Sequence, residues 1–173
     1  ENFKKTVTKA PEILEKLKSD GKIRFTGVST RGEQAPLAAI TSGFFDIIQV
    51  AYSIADQRMA TQVFLIANQN KVGVINRSVF LKGSLTSLRA ELPIGLGTLK
   101  KMADQAEEVA QSIGIDLPTL AIRFVLSNPH ITTSLIGTNK IKNLSQAIEA
   151  VEAGPLPEEI ITELEGLAII DPN

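Results

Sequence analysis

The chain has 173 residues, of which 43% are apolar and 21% are charged, and its formal net charge is −1. This composition indicates a folded globular domain, and so small a net charge excludes bulk electrostatic attraction to nucleic acid. The sequence has no cysteine, which excludes disulfides and thiolate chemistry, and no apolar run long enough to span a bilayer, so we expect a cytoplasmic protein without a membrane partner.

The first third of the chain predicts two helices and two strands in alternation, after a polar lead-in at residues 1–9 that we expect to be a loop. Pro11 suits a first helical turn, and Gly21 suits the left-handed position after a helix. The next segment, GKIRFTGVST, predicts a short buried strand that ends at the hydroxyls of Ser29 and Thr30. The following strand is almost continuously apolar, which predicts burial on both faces. The predicted elements are helices at 11–20 and 33–41 and strands at 22–28 and 46–52.

The rest of the chain repeats this alternation with one long interruption. Residues 77–93 show little periodicity, and loops of that length in a compact domain are usually functional or disordered. Asp116 is predicted to cap the helix that Pro118 begins. The predicted elements are helices at 59–70, 96–113, 117–128, 140–151 and 157–167 and strands at 72–75 and 133–136.

Strict alternation of helices and strands predicts an α/β fold of parallel strands joined by right-handed crossovers. Four such units form either half of a (β/α)₈ barrel or a small open sheet, and extra helices accompany them. Because no linker composition interrupts the chain, we expect residues 1–173 to form a single partial domain. Ligands of such folds bind at the carboxyl ends of the strands, where the polar turns lie. We predict no metal site.

Several segments, taken in order, resemble the aldo-keto reductases. GKIRFTGVST is similar to the strand-five signature of that family, and DIIQVAYS at 46–53 resembles its next strand. VGVINRSVFLKGSL at 72–85 resembles strand seven and its pyrophosphate loop. LAIRFVLSNP, followed by SLIGTNKIKNLSQAIEA, resembles the closing helix, strand eight and the adenosine-binding loop. The resemblance extends over residues 12–153 and implies the C-terminal half of a TIM (β/α)₈ barrel.

The resemblance also implies a site for NADP(H) or NAD(H). Ser29 and Gln49 would hold the nicotinamide carboxamide, assisted by Thr30, which stands where the family often has Asn. Arg77 would stack on the nicotinamide ring, as a planar guanidinium can. The implied pyrophosphate contacts are Ser78, Phe80, Lys82, Gly83 and Ser84, and the implied adenosine contacts are Gly137, Thr138, Asn139, Asn143 and Gln146.

The choice between the two cofactors stays open on the sequence. The family commonly has Arg at the position of Asn143, and this chain therefore lacks that cation for a 2′-phosphate. Lys140 or Lys142 could replace it. Structural alternatives also stay open for the nicotinamide residues: Ser29 and Thr30 could cap the next helix, Gln49 could bond to backbone, and Arg77 could form a surface salt bridge.

The resemblance implies that catalysis resides elsewhere. The family reduces carbonyls with an Asp, Tyr, Lys and His set carried by its first half, and none of those positions falls in this chain. We predict that Tyr52 packs at the barrel mouth and that His130 lies in a surface loop, so neither is a catalytic candidate. We therefore expect the chain alone to be inactive.

Half a barrel leaves two unpaired sheet edges, which invite association. Because the first residue is Glu1, we expect the chain to be part of a full reductase; pairing with a separate half, or cover by rearrangement or a self-copy, are the alternatives. The leading functional hypothesis is a parent enzyme that acts on a small-molecule carbonyl or alcohol with NAD(P)(H). The second is a non-catalytic nucleotide-binding or scaffold subunit, and the third is an unrelated phosphate-binding domain with an open, uncurved sheet.

Overall fold

The computed structural model describes residues 10–169 and contains four parallel strands that alternate with helices. The predicted loop at 1–9 lies outside the described residues. The strands are β1 (Gly27–Ser29), β2 (Ile47–Ala51), β3 (Gly73–Arg77) and β4 (Thr133–Ser134). The helices are α1 (Pro11–Ser19), α2 (Gln34–Thr41), α3 (Arg58–Thr61), α4 (Val63–Gln69), α5 (Gly97–Ser112), α6 (Leu117–Ser127), α7 (Ile141–Glu152) and α8 (Glu158–Glu165).

The four strands form one sheet in the order β1-β2-β3-β4, and every neighbouring pair is parallel. The order in space therefore follows the order in the chain, as it does for consecutive units of a (β/α)₈ barrel. The register places Ser29 opposite Gln49, Gln49 opposite Ile75, and Ile75 opposite Thr133. The predicted α/β fold with parallel strands is confirmed.

Only one face of the sheet is fully buried. Ile48 and Val50 of β2 and Val74 of β3 point toward the helices and are at most 1% exposed. Their neighbours Ile47 and Gln49, which point to the opposite face, are only half buried. The prediction that β2 is buried on both faces is therefore wrong for the described residues, because a helical layer covers one side of the sheet only. We refer to the half-buried side as the open face.

Two predicted elements and the predicted long loop differ from the structure. The strand predicted at 22–28 is extended only from Gly27, and the Phe25 side chain is 61% exposed. The neighbouring Thr26 is the buried residue there, and its hydroxyl donates a hydrogen bond to Asp46 Oδ2 at 3.0 Å. The helix predicted at 59–70 is two helices that meet at Gln62, where φ is −135° and ψ is −42°. The predicted loop at 77–93 contains short 3₁₀ turns at 81–83 and 87–91.

Two local predictions are confirmed. Gly21 follows α1 with φ of +70°, a conformation that favours glycine. Asp116 caps α6, since its carboxylate accepts a hydrogen bond from the backbone N–H of Thr119 at 2.9 Å.

Within residues 10–169, no single helix is both long and apolar enough to cross a lipid bilayer. The bent pair 94–112 and 117–127 meets that criterion only jointly, and it turns by 90° between its two parts.

Candidate functional site

The carboxyl ends of β1 and β2 place a hydroxyl and an amide side by side. Ser29 and Gln49 are paired in the parallel register, so their side chains point to the same face of the sheet. The Gln49 Nε2 donates a hydrogen bond to Ser29 Oγ at 3.3 Å, and Ser29 is exposed. The two side chains thus present one hydroxyl and one amide together on the open face.

Thr30 lies directly behind this pair and is turned inward. Its backbone N–H donates to the Gln49 carbonyl at 3.0 Å, and its hydroxyl donates to the same oxygen at 3.4 Å. The residue is only 5% exposed. Thr30 therefore fixes the end of β1 against the end of β2, and the structure does not present its hydroxyl on the open face.

Arg77, the last residue of β3, shares the open face with Gln49. Gln49 pairs with Ile75, and Arg77 follows Ile75 by two residues, so all three side chains lie on one side of the sheet. The guanidinium donates to the Thr30 carbonyl at 3.0 Å and to Ser78 Oγ at 3.2 Å. It therefore crosses the end of β2 and connects β3 to β1. Among residues 10–169 no carboxylate forms an ion pair with Arg77, so a surface salt bridge does not account for its position.

Several residues of the loop after β3 have a left-handed backbone conformation. Ser78, Leu81 and Lys82 have φ values of 66°, 42° and 56°, and Gly83 has 95°. A non-glycine residue in this region costs roughly 1 kcal/mol, and such strain collects at functional sites. Buried Ser84 closes the loop by donating its hydroxyl to the Leu81 carbonyl at 2.9 Å.

The side chains predicted for the pyrophosphate divide into two environments. Phe80 is partly buried and packs against the hydrophobic core, whereas Lys82 is exposed. The open face and the exposed lysine thus lie at the two ends of the loop 78–83. A lysine and backbone amides are suited to the charge of a phosphate.

The turn predicted for the adenosine is exposed, and one of its partners is engaged elsewhere. Gly137, Thr138, Asn139 and Asn143 are all exposed. Gln146, in contrast, donates its amide to Asp116 and, at 3.4 Å, to Thr119 Oγ1 at the start of α6. The structure therefore keeps the 137–139 turn accessible and directs the Gln146 amide to the neighbouring helix.

Tyr52 does not line the barrel mouth, and that prediction is wrong. Its ring stacks on Phe124 of α6 with centroids 5.7 Å apart and meets Phe64 edge-on at 5.1 Å, on the helical side of the sheet. Burial raises the pKa of Tyr52 to about 12, although a hydrogen bond with Asn128 acts in the opposite direction. The half-buried His130 lies in the loop before β4, as predicted, with its backbone N–H donating to Asn128 Oδ1 at 3.1 Å.

Sequence reasoning missed Asn76, which joins three strands behind the site. Its Nδ2 donates to the Tyr52 carbonyl and to Ser134 Oγ, both at 3.1 Å, and the residue is 0% exposed. Its Oδ1 has no hydrogen-bond partner among the described residues. The signal was an amide inside the apolar run VGVIN. Within residues 10–169 there is no group of three or more His, Cys, Asp or Glu side chains that could hold a metal ion.

The chain is similar in sequence to several proteins whose names describe dehydrogenases or reductases. L-galactose dehydrogenase of Arabidopsis thaliana is 27% identical over 96% of this chain and 54% of that protein. NADH-specific methylglyoxal reductase of Escherichia coli (strain K12) is 26% identical over 80% of this chain and 47% of its own length. D-threo-aldose 1-dehydrogenase of Pseudomonas sp is 24% identical over 79% and 44%. The chain thus spans about half the length of these relatives.

Solved structures and a family model identify the family of the chain. The holo form of aldo-keto reductase AKR11C1 from Bacillus halodurans superposes with a TM-score of 0.81 at 26% identity, covering 95% of this chain and 57% of that chain. The model of the aldo/keto reductase family matches residues 3–169. The chain therefore belongs to the aldo/keto reductase family.

Proposed function

We propose that this chain is the nicotinamide-dinucleotide-binding half of an NAD(P)(H)-dependent oxidoreductase that acts on a small-molecule carbonyl or alcohol. The observation that carries the proposal is the Ser29–Gln49 pair, which presents a hydroxyl and an amide together at the carboxyl ends of parallel strands. The names of the relatives support the reaction class, because they describe dehydrogenases of aldoses and galactose and a reductase of methylglyoxal.

The residues of the open face fit the nicotinamide carboxamide. A carboxamide offers one acceptor and two donors, and Ser29 with Gln49 supplies both kinds of group. Fixing both ends of the carboxamide decides which face of the ring points into the barrel. A bound nicotinamide would supply hydride transfer, and Ser29 and Gln49 would hold its carboxamide and so orient its ring.

The remaining contacts extend from that point along the loop after β3. Exposed Lys82 and the left-handed backbone at 81–83 would meet the pyrophosphate. The exposed turn at 137–139 would receive the adenosine, with Asn143 beside it. Gln146 would serve indirectly, by fixing α7 against α6.

We further propose that the proton donor lies outside this chain. The resemblance implies that the family's Asp, Tyr, Lys and His positions lie outside this sequence. Tyr52 is buried, and His130 precedes β4, on the amino side of that strand and not at its carboxyl end. Purified chain should therefore bind cofactor without oxidising NAD(P)H in the presence of an aldehyde. Binding without turnover in the complete polypeptide would favour the second candidate function, a nucleotide-binding subunit.

Calorimetric titration of the chain with NADPH and NADH tests the proposal. Gln49→Met removes the amide and keeps the side-chain volume. It should raise the dissociation constants of both cofactors about tenfold, as expected for the loss of a polar contact of about 1.4 kcal/mol. Gln69→Met, on an exposed glutamine at the end of α4, is the matched control and should leave binding unchanged. Equal affinity in the Gln49 variant and the control would reject the site.

A further inference from the structure

A fixed positive charge lies beside the proposed nicotinamide position. Arg77 is paired with Ala51 in the register, and Gln49 precedes Ala51 by two residues on the same face. The arginine side chain crosses β2 and reaches the Thr30 carbonyl at 3.0 Å. One strand, β2, lies between β3 and β1, so the guanidinium is held over the end of β2, next to the Ser29–Gln49 pair.

That charge has no counter-ion among the described residues. The two partners of the guanidinium are the Thr30 carbonyl and Ser78 Oγ, and both are neutral acceptors. Within residues 10–169 no aspartate or glutamate forms an ion pair with Arg77. Since an arginine side chain stays protonated in proteins, a full unit of charge faces whatever occupies this end of the open face.

We propose that Arg77 makes the site discriminate between the oxidation states of its cofactor and favour the reduced form. This inference rests on the proposed function. The nicotinamide ring carries a positive charge when oxidised and none when reduced, while the phosphates and the adenosine are the same in both forms. Repulsion from Arg77 therefore weakens binding of the oxidised cofactor selectively. At equal concentrations of the two forms, the reduced cofactor, which carbonyl reduction consumes, occupies most of the sites.

The ratio of dissociation constants, oxidised over reduced, isolates this effect. Contacts to the phosphates and adenosine contribute equally to both constants and cancel. The guanidinium of Arg77 and the oxidised nicotinamide ring are two like charges that would lie side by side at a half-buried surface. Their repulsion should change the ratio by about tenfold, which is more than expected in bulk water and less than expected in a protein interior. Added salt should lower the ratio, because it screens exposed charges.

The experiment measures the dissociation constants of NADPH and NADP⁺, and of NADH and NAD⁺, by calorimetry on the chain and three variants. Arg77→Gln removes the charge and keeps hydrogen-bond donors, and Arg77→Lys keeps the charge. Arg24→Gln removes an exposed guanidinium that precedes the amino end of β1, whereas the site lies at the carboxyl ends of the strands, and it controls for net charge. Far-ultraviolet circular dichroism verifies that each variant is folded.

We expect the oxidised-to-reduced ratio to fall about tenfold in Arg77→Gln and to stay within about twofold of the parent chain in the other two variants. If both oxidation states bind and the ratio in Arg77→Gln stays within about twofold of the parent, the inference is overturned while the proposed function stands. If neither oxidation state binds the parent chain, the proposed function fails and the inference with it. An equal fall in Arg24→Gln would also overturn the inference, because it would show an effect of net charge.

Discussion

Tyr52 allows the buried layer between sheet and helices to be tested by a single titration. It is the only tyrosine of the chain, and the chain has no tryptophan. Burial raises its pKa to about 12 from the ordinary value of 10.0. We expect the ultraviolet absorbance of the phenolate to appear at about pH 12 in the folded chain, and about two units lower in concentrated urea.

The same shift fixes how stability changes in alkali. The folded state holds the Tyr52 proton more tightly than the unfolded state, so the unfolded chain loses it first, near pH 10. Stability is therefore complete below pH 10 and falls as pH rises through about 12. Two units of pKa correspond to about 2.7 kcal/mol, an upper bound on this loss.

The assay combines a rapid pH jump with the equilibrium titration, so that the phenolate is recorded before the chain unfolds. Tyr52→Phe provides the optical blank. A native midpoint near pH 10, with the circular dichroism of the folded chain intact, would show that the ring is solvated. The stacking on Phe124 and the burial beneath α6 would then be incorrect.

Other predictions concern stability. Arg58→Met leaves the Asp56 carboxylate, which is 7% exposed, without its bidentate partner, so we expect a loss of about 2 kcal/mol in urea unfolding; a loss below about 0.5 kcal/mol would indicate an ordinary surface pair. The hydrogen bond from the Thr26 backbone N–H lowers the pKa of Asp46 below its ordinary value, so the ionised carboxylate stabilises the folded state above about pH 4 and this contribution is lost as the pH falls further. Asp46→Asn should therefore flatten the decline of stability at acid pH. An unchanged decline would contradict this. Phe64→Ala empties a fully buried site and should cost about 4 kcal/mol, whereas exposed Phe25→Ala should cost under about 0.5 kcal/mol; equal losses would refute the assigned burial.

The features predicted correctly from sequence depend on a few neighbouring residues. A glycine after a helix and an aspartate before one act within a single turn, and both Gly21 and Asp116 behave as expected. The alternation of apolar runs and turns likewise predicts the parallel strands. These signals are local, so they depend little on distant parts of the fold.

Features that depend on how one element packs against another were predicted less well. Phe25 has the residue type of a buried strand position, but it precedes β1, and the residue buried there is the neighbouring Thr26, so the ring of Phe25 is exposed. The position of Gln146 depends on how α7 is rotated. Ala147 and Ala150 bury that helix against the rest of the fold, and the neighbouring Gln146 then faces Asp116.

Arg77 combines both kinds of feature. Its place at the end of a strand follows from the sequence, but the course of its side chain does not, because it depends on Ala51, a residue of another strand. A larger side chain at Ala51 would stand between the arginine and the Thr30 carbonyl. The charge beside the proposed nicotinamide position therefore belongs to Arg77, but we expect its place above the end of β2 to depend also on the size of the residue opposite it in the register.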